Sequence, residues 1–278
     1  MFWNKSKTDA FEEPRRIIAI ASGKGGVGKT WFAISLAQAL ADKGERVLLV
    51  DGDLGLANVD VQLGLQPDAD LADVIEGGAD LAAAITRSTD EDAAGARTFD
   101  VLPGRSGSGA LALISDEELA GLRAGVRVLA DHYDRVLIDL SSGLDRAATA
   151  FCADASDVFL VLTEDPSALT DAYAVANVLG HLEARARLHA IVNMAETVKS
   201  GRAAFESFEA ACSSFLKTTP AFAGSVRRDA KVRESVRGQV SSISRHPLAP
   251  SSQDIAVIAK RLADEREASV EDRARVAS

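Results

Sequence analysis

The chain has 278 residues, of which 47% are hydrophobic but only 5% aromatic, and a formal net charge of −10. That balance predicts a core of Val, Ile, Leu and Ala, as in buried parallel strands, and argues against recruitment of the whole molecule to nucleic acid or anionic lipid by its average field. The polar start is unlike a signal peptide and no run approaches the ~18 apolar residues of a membrane span; Cys152 and Cys212 lie far apart, without Cys-x-x-Cys or paired His, so a reduced, cytosolic protein is expected.

Residues 1–14 read as a flexible leader, 15–267 as a single α/β domain and 268–278 as a polar tail. Strand-type apolar runs fall at 16–21, 46–51, 98–102, 135–139, 157–163 and 188–193, with a short one at 221–226. Helical patterns fall at 29–43, 71–76, 115–132, 144–154, 167–184, 201–215, 230–237 and 251–267. Ser115 followed by Glu118 is a capping box, with Asp116 and Glu117 suited to the positive end of a helix. The Ala/Asp-rich stretch 80–96 reads as a polar excursion. Alternating strands and helices predict a doubly wound, mainly parallel sheet flanked by helices on both faces.

The first strand runs into Gly23-Lys24-Gly25-Gly26-Val27-Gly28-Lys29-Thr30 and then into a helix, the context a phosphate-binding loop requires. Its glycines let backbone N–H groups turn toward phosphate oxygens, Lys29 reaches the β- and γ-phosphates, and the Thr30 hydroxyl ligates Mg²⁺. Ligands of such sheets bind outside the carboxyl ends of the strands. There the second strand ends in Asp51-Gly52-Asp53, the fourth in Asp139-Leu140-Ser141-Ser142-Gly143 and the sixth in Asn193. Asp139 after an apolar run is placed like a Walker B carboxylate for Mg²⁺, and Gly143 offers a backbone N–H to the γ-phosphate. Asp51 and Asp53 share a face, so one orders the metal shell and the other orients the attacking water; Asp53, further into the loop, is assigned the water. The expected cofactors are ATP and Mg²⁺, and the domain is read as a P-loop ATPase.

Lys24 is a second lysine at the start of the loop. With it the loop resembles the deviant Walker A of the MinD/ParA (SIMIBI) ATPases, whose signature lysine crosses a dimer interface to the partner's nucleotide. Residues 51–60 resemble that family's switch I, and 139–143 its switch II. Leu102-Pro103-Gly104-Arg105-Ser106-Gly107, Pro166 to Tyr173, Ile191-Val192-Asn193-Met194 and Val232-Arg233-Glu234-Ser235-Val236 look most like the FlhG/YlxH/MotR branch of flagellar number regulators. The resemblance implies a slow, partner-stimulated ATPase that forms a homodimer with ATP, with Lys24, Lys29 and Asp53 catalytic and Asn193 on the adenine edge, the base walled by backbone near 226–229. It also implies flagellar or polar partners, including a FlhF-like GTPase, and a cytoplasmic protein peripheral to the inner membrane or the cell pole. The sequence departs from the pattern in having Arg227 where proline is common and Ser141-Ser142 where small apolar residues are. The glutamine-containing activator motif of some members, which engages FlhF, is absent from 1–16.

A lipid-binding amphipathic helix needs large apolar residues opposite Lys and Arg, and 260–278 has few, so membrane binding by this tail is weakly supported. Arg227, Arg228, Lys231, Arg233, Arg237 and Arg245 form a basic stripe without interleaved aromatics, and DNA is disfavoured as its partner. Three alternatives share the loop: a ParA-like positioner of DNA or cargo, a non-hydrolysing adaptor that uses ATP as a structural ligand, and an iron–sulfur ATPase, which would need suitably placed cysteines.

Overall fold

A computed structural model describes residues 17–88, 97–105, 114–182, 186–216 and 218–277, and the side chains of these through residue 268. The elements are β1 (Ile17–Ser22), α1 (Lys29–Asp42), β2 (Val47–Gly52), α2 (Val59–Leu63), α3 (Leu71–Ile75), β3 (Thr86–Arg87), β4 (Asp100–Leu102), α4 (Asp116–Ala130) and β5 (Arg135–Ser142). They continue with α5 (Arg146–Asp154), β6 (Asp157–Leu162), α6 (Pro166–His181), β7 (Arg187–Ala195), α7 (Val198–Phe215), β8 (Ala221–Arg227), α8 (Ala230–Arg237), α9 (Ser242–Arg245) and α10 (Pro250–Ala277).

The strands form one sheet in the order β3-β4-β2-β5-β1-β6-β7-β8, parallel except for the antiparallel pair β3–β4. The central strands are buried on both faces, which is why they read as unbroken apolar runs. Side-chain alternation divides the core: Ala19, Val50 and Ile138 face one layer, Ile20, Leu49 and Leu137 the other. Helix α1 is buried over nearly its whole length between the sheet and α10, so it lacks a polar face.

This is the doubly wound architecture expected. The Ser115 capping box is present, with Asp116 to Glu118 in the first turn of α4. Three short elements are additional: α2, α9 and β3, the last inside the polar excursion. Four or five residues complete little more than a helical turn, and two residues define no alternation, so neither period could register. Helix α10 runs to Ala277, well past residue 267, because the apolar spacing that marked it stops at Leu262 while the backbone stays helical. The proposed leader and much of the stretch 80–96 lie outside the described residues.

Register fixes the site. Ile20 pairs with Asp139, and Asp139 with Asp51, so β1, β5 and β2 release the phosphate loop and two carboxylates side by side.

Candidate functional site

The loop from Gly23 to Thr30 is shaped by contacts that exclude side chains. A Cβ on Gly23 would lie 2.3 Å from the Asp171 backbone, so the loop's entry is pressed against α6. Gly28 has φ 84°, and a Cβ there would also lie 2.5 Å from Asn193 Nδ2. A Cβ on Gly26, by contrast, would meet nothing within 4 Å. Gly28 is the N-cap of α1 and supplies no side-chain cap, so the helix presents its first N–H groups to the loop's hollow. That is the arrangement that binds phosphate. The hollow opens into a cleft of about 580 Å³ lined by the loop and by residues from switch I, β7 and α8.

Beneath it lies a buried charge cluster. Lys29 Nζ donates to Asp139 Oδ1 at 2.7 Å and Thr30 Oγ1 donates to Asp139 Oδ2 at 2.6 Å. Asp51 accepts from the N–H groups of Asn58 and Val59, both at 2.9 Å, and of Asp53 at 3.3 Å. Asp51 is therefore the residue on which switch I is folded. Burial, with the neighbouring charge of Asp139, pushes its carboxyl up to about 7 against those three N–H bonds. Burial also raises Asp139, with Lys29 and Thr30 opposing.

These shifts carry a sign. Between 3.8 and about 7 the folded protein holds on Asp51 a proton that the unfolded chain has released. Stability is then greatest at the acid end of that window and falls as pH rises through about 7, by an amount on the order of 4 kcal/mol. The nucleotide-free protein is expected to melt at a higher temperature near pH ~5.5 than near pH ~8, and Asp51→Asn to flatten the difference. A melting temperature that climbs with pH over that range would contradict the assignment.

The remaining predicted residues fall into place unevenly. Asp53 lines the cleft; its Oδ1 accepts from Leu56 N at 3.0 Å, and no described donor reaches Oδ2. Lys24 also lines the cleft, exposed, with Nζ donating to Ser167 Oγ at 2.8 Å in the first turn of α6. Asn193 is buried at the end of β7 and donates from Nδ2 to Val27 O at 2.8 Å. It thus braces the loop with its donor and keeps Oδ1 as an acceptor. Gly143 has φ 82°, and its N–H donates to Ser22 O at 2.7 Å, so that group is engaged within the protein here.

The basic stripe is not a continuous surface. Arg227 gives its N–H and guanidinium to Asp254 and Pro250 of α10, at 2.8 to 3.2 Å, and so ties β8 to that helix. Lys231 pairs with Glu234 at 2.7 Å, while Arg228 and Arg233 line the cleft. Trp31, Asn58, Gln62, Val232 and Val236 line it as well, and none of them was assigned to the nucleotide site from the sequence. Asn58 lies in the switch I motif, so the sequence did carry a signal for it. Val232 and Val236 lie in the 232–236 segment that resembles the flagellar branch, whereas nothing local marks Trp31 or Gln62; the four reach the cleft through the packing of α2 and α8 around α1.

The sequence matches the CobQ/CobB/MinD/ParA nucleotide binding domain over residues 18–242. The chain belongs to this family. Its curated relatives include the antiactivator FleN of Pseudomonas aeruginosa, 34% identical over 90% of this chain and 86% of that one. The flagellum site-determining protein YlxH of Helicobacter pylori is 31% identical over 80% of this chain and 73% of its own. Among solved structures, the septum site-determining protein MinD of Pyrococcus horikoshii complexed with Mg-ADP superposes with a TM-score of 0.74 at 27% identity, covering 89% of this chain and 95% of that one. The family resemblance read from the deviant loop is thus borne out, with relatives in its flagellar branch. No helix among the described residues is long and apolar enough to cross a membrane, and no three His, Cys, Asp or Glu residues cluster as metal ligands.

Proposed function

We propose that this protein is an ATP-dependent dimerisation switch with weak ATPase activity that regulates flagellar number or placement. The observation that carries the reading is Lys24. It is an exposed ammonium at the mouth of a phosphate cradle that already has Lys29, and its described partner is the neutral hydroxyl of Ser167. Exchanging a neutral acceptor for a phosphate oxygen favours the charged contact, since charge-assisted hydrogen bonds are roughly twice as strong as neutral ones. In this reading the phosphate Lys24 takes is that of a second subunit's nucleotide, the subunit's own phosphates being held by Lys29 and the loop.

Within one subunit the chain's own groups divide the work. The N–H groups of the loop and of the first turn of α1 hold the phosphates, and Lys29 transfers its contact from Asp139 to a phosphate oxygen. Asn193 Oδ1, its amide nitrogen committed to Val27, presents an acceptor that suits the exocyclic amine of adenine. Asp53 Oδ2 orients water. Thr30 and Asp139 form an oxygen-only pair suited to Mg²⁺, an ion usually held by few protein groups together with substrate phosphates. Mg²⁺ supplies neutralisation of phosphate charge.

FleN and YlxH support the flagellar direction, and a cytoplasmic protein that works at the inner membrane or cell pole with flagellar or polar partners, a FlhF-like GTPase among them, fits it. Mass measurement by light scattering after size exclusion tests the switch. A dimer is expected with Mg-ATP and a monomer with Mg-ADP. Lys24→Ala should bind ADP within about threefold of wild type yet remain monomeric with ATP. A Lys24→Ala variant that dimerises like wild type would remove the shared-site reading.

A further inference from the structure

Helix α8 ends in a Schellman turn, with Val240 N donating to Ser235 O and Gln239 N to Val236 O, both at 3.2 Å. The left-handed position of such a turn usually belongs to glycine. Here Gly238 has φ −82°, and Gln239 takes φ 54°. A residue with a Cβ is therefore kept in the strained conformation beside a glycine that is not. Backbone strain of this kind persists where a side chain is used.

The use is a contact from the end of α8 to α2. Gln239 Nε2 donates to Val61 O at 2.8 Å. Val61 lies near the end of the five-residue helix α2, and its carbonyl otherwise accepts only the long C-cap contact from Gly64 N at 3.4 Å among the described residues. The two turns meet closely, since a Cβ on Gly64 would lie 3.2 Å from Gln239 Cβ. Both elements so joined also line the nucleotide cleft: α8 brings Val232, Arg233 and Val236, switch I brings Asp53 and Asn58, and α2 brings Gln62. From Val61 the path to the chemistry is short. The N–H groups of Asn58 and Val59 at the start of α2 hold Asp51 Oδ2, and Asp51 Oδ1 holds the N–H of Asp53.

We propose that Gln239 is a positioning residue that couples α8, which follows the 226–229 backbone expected to wall the base, to switch I, so that a nucleotide base seated on that side of the cleft sets the placement of Asp53. The inference rests on the ATPase reading given above.

The test uses the full chain as wild type, Gln239→Gly and Gln239→Lys. Glycine suits the left-handed backbone, so Gln239→Gly should melt no lower than wild type, and a purely structural role predicts no loss of function. Three results are expected. Wild type turns over ATP at least about threefold faster than saturating inorganic tripolyphosphate, which lacks ribose and base. Gln239→Gly lowers kcat for ATP about three- to tenfold with KM changed less than about twofold, and Gln239→Lys, whose ammonium also donates to a carbonyl, restores at least about half of it. In nucleotide-free protein, amide hydrogen exchange at Asn58 and Val59 quickens at least about threefold in Gln239→Gly and recovers in Gln239→Lys.

Equal turnover of ATP and tripolyphosphate by wild type would overturn the coupling. So would a Gln239→Gly variant with wild-type kcat, a loss confined to KM, or unchanged exchange. Wild type that binds ATP but turns over neither compound would overturn the ATPase reading, and the coupling with it.

Discussion

Lys29→Ala is expected to weaken ADP binding by about 100-fold or more and, in the same protein, to lower stability in a way that depends on pH. The first effect follows from removing a charge-assisted hydrogen bond to phosphate inside a cleft where few other groups replace it. The second follows from what Lys29 does without nucleotide. Its ammonium is 2.7 Å from Asp139, and the two side chains are 8% and 1% exposed. Removing one member of such a pair leaves a buried charge uncompensated, at a cost of about 3–5 kcal/mol. Asp139 can escape part of that cost by taking up a proton, because burial already raises its pKa and Lys29 is the main group opposing. With Lys29 gone the folded-state value rises further, so the stability deficit is smallest at acid pH and grows as pH rises. Thermal melts of Lys29→Ala near pH ~5.5 and near pH ~8, beside calorimetric titration with ADP, check both effects. Lys29→Ala combined with Asp139→Asn should recover most of the stability and none of the binding. Recovery of binding in the double variant would show that Lys29 acts through the fold rather than on phosphate.

The same cluster shows where the sequence was legible. The glycine loop, Asp51 and Asp139 could be read because each stands at the carboxyl end of an unbroken apolar run, and strand ends in an open α/β sheet converge, while Thr30 was readable from the Gly-Lys-Thr that closes the loop. Asp53 was readable from its spacing to Asp51. What could not be read is which groups those residues already hold. Asp51 spends both oxygens on the N–H groups of its own loop, a local arrangement no side-chain pattern announces. Arg228 and Arg233 looked like part of an outer stripe, because the return of α8 over the cleft depends on how α8, α9 and α10 pack on α1 and α2. Gln239 has no motif around it, and its partner Val61 is 178 positions away. Only the left-handed φ, a property of the backbone, marks it.

Asp53→Ala is expected to lower the ATP hydrolysis rate by about 10²–10³-fold while leaving ATP-dependent dimerisation intact or stronger. A positioned carboxylate that takes or orients a proton contributes about 10²–10⁴ to a rate, and Asp53 has one oxygen free of described donors at the edge of the cleft. Its other oxygen accepts from Leu56 N, so truncation also loosens the tip of switch I. Asp51 would still order the rest of that loop through Asn58 and Val59, and Lys29, Thr30 and the glycine loop are untouched. Binding should therefore survive where chemistry does not, in contrast to Lys29→Ala. Asp53→Asn separates the two roles of the side chain: it keeps an acceptor for Leu56 N but removes the negative charge, so it should hydrolyse as slowly as Asp53→Ala. Phosphate release measured beside dimer mass gives both readings on one sample. If Asp53→Asn retains wild-type turnover, the charge is not needed and the water is oriented by another group. If instead both variants lose dimerisation together with hydrolysis, Asp53 serves the interface, and the rate of reset must be set elsewhere in the switch.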